Sequence, residues 1–531
     1  MDMLNKIIIY TGLFAMTCLA SCSLDPELTK SYSDEVPWTN EKNLELYLNK
    51  FYPLIGQTYY TPYVEDDAHS DILKMNTPVA DANLFIFGSQ MVTPDNNAMG
   101  CWDWAYTWTR DCNEFLDGLK KYGSNLPEEV TLRAEAEIRF FRAWVSFKLS
   151  RVYGGSFIIF EQLPDKKENS RSSVEECWDF IERDIDFAIE HLPVKVVSEK
   201  ENNQGKLTKG AALAFKARYM LYAERWKKAS DAAKAVMDLG IYELEDDYAK
   251  LFTYKRATGT SKESILDFGY QSPNFGYSFD YFYCPPGDKG YAQVSPTEEL
   301  VSAYQMADGS DFSWNNPEQA KNPYEGREKR FYASILYNGA DWKGRKIETY
   351  VGGVDGYAIG GGTTCTGYYM RKLFDEGQRN GFQPGELTYY AMRYAEVLLI
   401  YAEAMAQQDN LSEALIALNQ VRLRAGFDKP VTASSKSEFM SLLRHERMIE
   451  LAFEGHRYWD LRRWKQASIV LNNVNCHGTK ITRNEDGTFT YDQVDCDGGK
   501  KRIFPEKYYR FPIPLTEIQR NPACEQFDEW K

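Results

Sequence analysis

Apolar positions recur at helical spacing in long stretches that come in pairs. The run from Trp102 to about Tyr122 is followed by one from about Glu128 to Val152, whose apolar stripe ends at Gly154-Gly155, a helix stop. Ser173, with Glu176 three residues on, reads as a capping box that opens a helix reaching His191, just before Pro193. A further block, Ala212 to Gly240, places small residues where two helices must approach and breaks near Arg225.

The clearest unit lies between Tyr394 and Phe427: two helices about a polar turn at Asp409-Asn410, in 34 residues. That length and pattern resemble a tetratricopeptide repeat, and the block from Ala212 to about Tyr242 has the same build. Helix pairs of this kind bury a shared apolar face by stacking, so the pattern predicts a mostly α fold, an α-solenoid-like stack. From about Thr253 to Leu387 the composition shifts to Gly, Pro, Asn and Tyr without a sustained period, apart from short helices such as Pro296 to Gln305. Long ordered loops commonly carry function, so residues 253–387 are expected to form an irregular mixed subdomain with the ligand face.

At the start, Lys6 precedes an apolar run from Ile7 to Leu19, too short to span a bilayer and built like a secretory signal. Leu19-Ala20-Ser21-Cys22 resembles a lipoprotein lipobox, which implies cleavage after residue 21 and lipidation of Cys22. The alternative is an ordinary signal with an incidental cysteine. The expected organisation is therefore a signal at 1–21, a lipidated tether at 22–40, a helical region at 41–252, the loop-rich subdomain at 253–387, and a second helical region at 388–531.

A net charge of −15 argues against a nucleic-acid partner and fits a neutral or weakly charged ligand. Of ten cysteines, Cys18 and Cys22 belong to the leader, and the other eight contain no CxxC pair, which leaves zinc or redox chemistry unsupported. Cys476 with Cys496 is the first candidate for a disulfide, against the equal alternative of free buried thiols.

Six blocks give a more specific signal: WDWAYTWTRDCNEFL from Trp102, AEAEIRFFRAWVSFKLSRVYGG from Ala134, RYAEVLLIYAEA from Arg393, ALNQVRLRAG from Ala417, RHERMIELAFEGHRYWDLRRW from Arg444 and FPIPLTEIQRNP from Phe511. Together, and in this order over nearly the whole mature chain, they resemble the RagB/SusD family. The resemblance implies an outer-membrane lipoprotein facing the cell surface, which binds oligosaccharide or polysaccharide and delivers it to a SusC-type TonB-dependent transporter. It also implies no catalysis and no cofactor. A minority of the family handles peptides, so a peptide ligand stays open, as does a protein-interaction scaffold that grips a partner through its helical repeats.

Chemistry read from the residues agrees. There is no GxSxG, HExxH or phosphate loop, and five His are sparse, so neither a catalytic constellation nor a metal site is expected. Asp66, Asp67, Asp71, Asp103 and Asp111 could be proposed for glycoside hydrolysis, but with 77 acidic residues such pairs arise by accident. Sugar binding needs aromatic faces beside Asn, Asp, Gln or Arg, and three stretches supply both. They are Tyr59, Tyr60 and Tyr63 ahead of Asp66, Asp67 and Asp71; Asn96-Asn97 ahead of Trp102, Trp104 and Trp108; and Tyr277 to Tyr283 with Tyr291, joined by Trp314. The ligand set expected is Tyr59, Tyr60, Asp71, Asn97, Trp102, Tyr281, Tyr283 and Trp314. Trp102 is equally suited to the core, and Tyr281 to Tyr283 alternate as a strand would. The charges from Arg444 to Arg463 read as a structural network with pairs such as Arg447–Glu450 and Glu454–Arg457, and His456 and Trp459 as packing.

Overall fold

Seven helices pack in order, each on the next: Trp102–Tyr122, Glu128–Tyr153, Val174–His191, Lys209–Tyr222, Trp226–Asp238, Tyr394–Gln407 and Leu411–Arg424, with Lys436–Glu450 against the last two. This computed structural model describes residues 35–56, 66–164, 168–196, 203, 205–377 and 384–531. The helix-pair stack is therefore the observed architecture. It is continuous across the long insertion, because Trp226–Asp238 packs directly on Tyr394–Gln407.

Local chemistry sets the boundaries. The Ser173 hydroxyl accepts from the Glu176 N–H at 3.2 Å while the Glu176 carboxylate accepts from the Ser173 N–H at 2.9 Å, the reciprocal capping box expected. Gly154, at φ 70°, ends Glu128–Tyr153 in the left-handed region, where a side chain is strained. Arg225 occupies the N-cap of Trp226–Asp238 and so marks the break in its block. Asp409, at φ 61°, turns the chain between the two helices of the repeat-like unit.

Two large apolar cores result. One joins the stacked helices, with Phe141, Phe215, Leu398 and Leu418 among its fully buried members. The other lies under the irregular region and is built from Tyr283, Tyr304, Phe331, Trp342, Tyr368 and Tyr369. It also takes in Ile72 and Leu73 from upstream and Ile449 and Phe453 from the helical region, which ties the two bodies together. The sheets among the described residues are two-stranded and antiparallel; the longest pairs are Leu73–Met75 with Val294–Pro296, Ser264–Phe268 with Tyr389–Arg393, and His477–Arg483 with Phe489–Asp495.

The eight cysteines from Cys101 to Cys524 are free thiols, and the Cys476–Cys496 pairing is not formed. The two do lie opposite each other, with the Cys496 N–H on the Cys476 carbonyl at 3.0 Å, and Cys365 completes a small buried cluster with them. In the charged motif Arg463 pairs with Asp460 three residues back at 2.7 Å, but the expected Arg447–Glu450 and Glu454–Arg457 pairs do not form. Arg447 pairs with Asp460 at 2.9 Å, Arg457 with Asp71 at 2.8 Å, and Glu454 with Arg393 and Lys372 at 2.6 Å each. The partners are tertiary because the motif is the seam at which the two cores meet.

Candidate functional site

Asn76 organises one face of the irregular region. Its N–H donates to the Gln293 carbonyl at 2.8 Å, its side-chain amide donates to the Ala292 carbonyl at 2.5 Å and to Ser295 Oγ at 2.9 Å, and its Oδ1 accepts from the Cys365 N–H at 3.2 Å. One buried amide thus holds three chain segments together. Beside it, Gly361, at φ 98°, lies against Thr77. The exposed side chains Val79, Tyr291 and Ile359 stand on the segments so joined.

Tyr291 is half exposed, and its ring meets Tyr281 edge-on, centroids 4.7 Å apart at 74°. The two hydroxyls are 3.1 Å apart, and the Tyr291 N–H donates to the Tyr281 carbonyl at 2.9 Å. Phe282 packs edge-on against Tyr281 at 5.1 Å and fixes the pair from the inner side. Such a pair offers an apolar ring surface with polar hydroxyls at its rim, the combination that suits a sugar ring.

The remaining expected residues fall in different places. Tyr59, Tyr60, Tyr63 and Cys22 lie outside the described residues. Tyr283 does not join the face: it is 1% exposed, because Phe279–Tyr283 is a short helix rather than a strand and turns Tyr283 into the second core. Trp102 is likewise core, 2% exposed, with Tyr106 and Tyr153 against its ring at 4.9 and 5.1 Å. Its one solvent-side relation is a cleft of about 720 Å³ that it lines with Tyr106, Phe160 and Asn521, none of which comes from residues 253–387. Asn97 shapes a turn, its Oδ1 accepting from the Met99 N–H at 3.0 Å. Trp314 is partly exposed but anchored, donating from Nε1 to the buried Glu298 at 2.9 Å and packing near Tyr491 on the strand Phe489–Asp495.

Asp71 is spoken for as well. Its carboxylate takes both Arg457 Nε and Nη2 at 2.8 Å, and although burial pushes its pKa up, the guanidinium holds it below the usual range. Asp67 accepts from the Gly455 and Arg457 N–H groups at 3.1 and 3.2 Å, and burial raises its pKa. Asp66 accepts from Trp459 Nε1 at 2.7 Å. The acidic run therefore clamps the Arg444–Trp464 motif instead of facing a ligand. No group of three or more His, Cys, Asp or Glu among the described residues could hold a metal ion.

What sequence reasoning left out of the ligand set is the Asn76 hub and the pairing of Tyr281 with Tyr291. Tyr291 stood in the same stretch, but its register against Tyr281 is set by a turn through Pro285, Pro286 and Gly287, and that has no periodic signal.

A stack of helix pairs that carries an irregular second core with an aromatic face defines an α-solenoid-like helical-repeat scaffold. The chain belongs to the SusD family, whose model matches residues 257–530, and a second family model, described as starch-binding associating with outer membrane, matches residues 27–221. SusD-like protein P2 of Formosa agariphila is 26% identical over 399 residues, spanning 71% of this chain and 74% of the relative. SusD-like protein P38 of the same organism is 23% identical, spanning 89% and 93%. Among solved structures, a SusD-like protein of Bacteroides fragilis superposes with a TM-score of 0.80 at 29% identity, covering 93% of this chain and 98% of that one. A SusD-like carbohydrate-binding protein of the same species gives 0.80 at 26% identity, covering 92% and 100%.

Proposed function

We propose that this protein binds glycan at the outer membrane, held there by a lipid on Cys22, and hands the bound oligosaccharide or polysaccharide to a SusC-type TonB-dependent transporter. The observation that carries the reading is the match, over nearly its whole length, to a structure described as a carbohydrate-binding protein, with the family description of starch binding and outer-membrane association beside it. The Tyr281–Tyr291 pair, in which Tyr291 is half exposed and Tyr281 half-buried, supplies a surface on which a pyranose can stack, with the Tyr hydroxyls for its own hydroxyls. Binding is reversible, and the ligand is released unchanged.

The test is binding of the protein to an array of neutral and acidic polysaccharides with a peptide control, followed by calorimetry and a reducing-sugar assay on each hit. Glycan binding without release of reducing sugar is expected. Binding to peptide alone, or cleavage of the glycan, overturns the reading. Copurification of a TonB-dependent transporter from native membranes tests the delivery step separately.

A further inference from the structure

In the helical layer a second cleft, of about 580 Å³, opens between the end of Glu128–Tyr153, the turn after Lys209–Tyr222 and the helix Arg457–Arg463. Five cations line it, Arg151, Arg444, Arg462, Arg463 and Lys465, against two carboxylates, Glu224 and Glu403. In a chain of net charge −15 this is a local reversal of sign.

The carboxylates do not neutralise the cations evenly. Glu403 and Asp460 both go to Arg463, at 2.5 and 2.7 Å. Arg462, 5% exposed, has only neutral partners among the described residues, the Tyr458 hydroxyl at 3.4 Å and the Tyr509 carbonyl at 3.0 Å. Arg444 has no hydrogen-bond partner for its buried Nε, and neither it nor Lys465 forms an ion pair among the described residues. Burial lowers the pKa of both; Glu403 works against this for Arg444 and Glu224 for Lys465, while the neighbouring cations Arg463 and Arg462 add to it. Arg462, the buried one of the three, is a desolvated cation without a paired carboxylate, which is costly unless a ligand supplies the charge.

Of the four tryptophans that line the cleft, Trp459 and Trp464 have cations on their faces. The Arg151 guanidinium lies 3.8 Å from the Trp459 ring centre, with Arg462 at 5.0 Å, and Trp464 carries Arg463 at 4.6 Å and Arg444 at 5.5 Å. The N–H edges of the guanidiniums stacked on Trp459 and Trp464 remain for carboxylates. Grooves between stacked helix pairs are also the surfaces on which such scaffolds dock polypeptide.

We propose that this cleft binds an acidic peptide segment of a partner protein, whose carboxylates pair with Arg444, Arg462 and Lys465. The site shares no residue with the Tyr281–Tyr291 face and stands whether or not that face binds glycan.

Fluorescence anisotropy with fluorescein-labelled hexaglutamate and the full chain tests this, with labelled hexaglutamine as the uncharged control and oligogalacturonate as competitor. Saturable binding of hexaglutamate alone is expected, weakened about tenfold when ionic strength rises from about 50 to about 300 mM. Lys465→Glu, at the exposed rim, and Arg444→Gln each weaken it about tenfold, and Arg444→Lys retains most of it. The thermal midpoint of each variant and its glycan affinity stay at the parent values. Absence of hexaglutamate binding, binding indifferent to both substitutions, or tighter binding of oligogalacturonate than of hexaglutamate overturns the proposal.

Discussion

Arg393 donates from Nη1 to Glu450 at 2.6 Å, and both side chains are shut away from solvent. Glu263 and Glu454 take the rest of the Arg393 guanidinium, and Glu450 is shared with Arg424 and Arg330. The pairing pulls Glu450 well below the usual carboxylate range against the upward push of burial. Removing one partner strands the other charges, so Glu450→Ala is expected to cost about 3–5 kcal/mol, read as a lowered urea midpoint. A Glu450→Ala protein as stable as the parent refutes the assignment of this cluster as the seam between the cores.

His456 gives the protein a pH limb of its own. Burial holds its pKa down to about 4, although Glu396, 3.7 Å away, works in the other direction. The folded form therefore stays neutral where the unfolded chain protonates, near pH ~6.5. Its stabilising contribution is complete above that pH and is lost as pH falls toward 4, by about 3 kcal/mol in all. Glu454, held at about 2, gives up its contribution at lower pH. Urea midpoints measured from pH ~7 to ~4 should fall in the parent and fall less steeply in His456→Gln.

Trp102→Ala should act on stability and not on ligand. Loss of a buried indole from the helical core costs about 3–5 kcal/mol. Calorimetry on the folded fraction should return the parent glycan affinity. A selective loss of affinity in a stable Trp102→Ala protein would return this residue to the binding surface.

Tyr281→Ala and Tyr291→Ala should show the opposite pattern. Tyr291→Ala removes a half-exposed ring and Tyr281→Ala the half-buried ring beside it, which leaves the thermal midpoint within about 1 °C while glycan affinity drops about tenfold. Tyr291→Phe separates stacking from the hydroxyl contact and should lose only part of the affinity.

The helices were legible because their signals are local. The apolar stripe from Glu128, the Ser173–Glu176 box and the Gly154 stop depend on residues a turn apart, and each appears where it was read. The site was only partly legible. Tyr281 and Tyr283 are two positions apart, and alternation suggested a strand; a five-residue helix instead leaves one ring half-buried and the other in the core. Asp71 looked like a ligand carboxylate because Arg457, its actual partner, lies 386 residues away in the chain.

The sequence alone determined the class of fold, since repeating apolar spacing forces helices that must stack to hide a common face, and its motifs sufficed for the family. Tertiary structure decided which polar and aromatic groups remain for a ligand. That choice rests on long-range partners: Asn76 reaching across to Ala292, Ser295 and Cys365, the acidic run folding onto Arg457, and Arg462 left with only neutral neighbours. A residue's type records what it can bond; only the folded chain determines what stands opposite it.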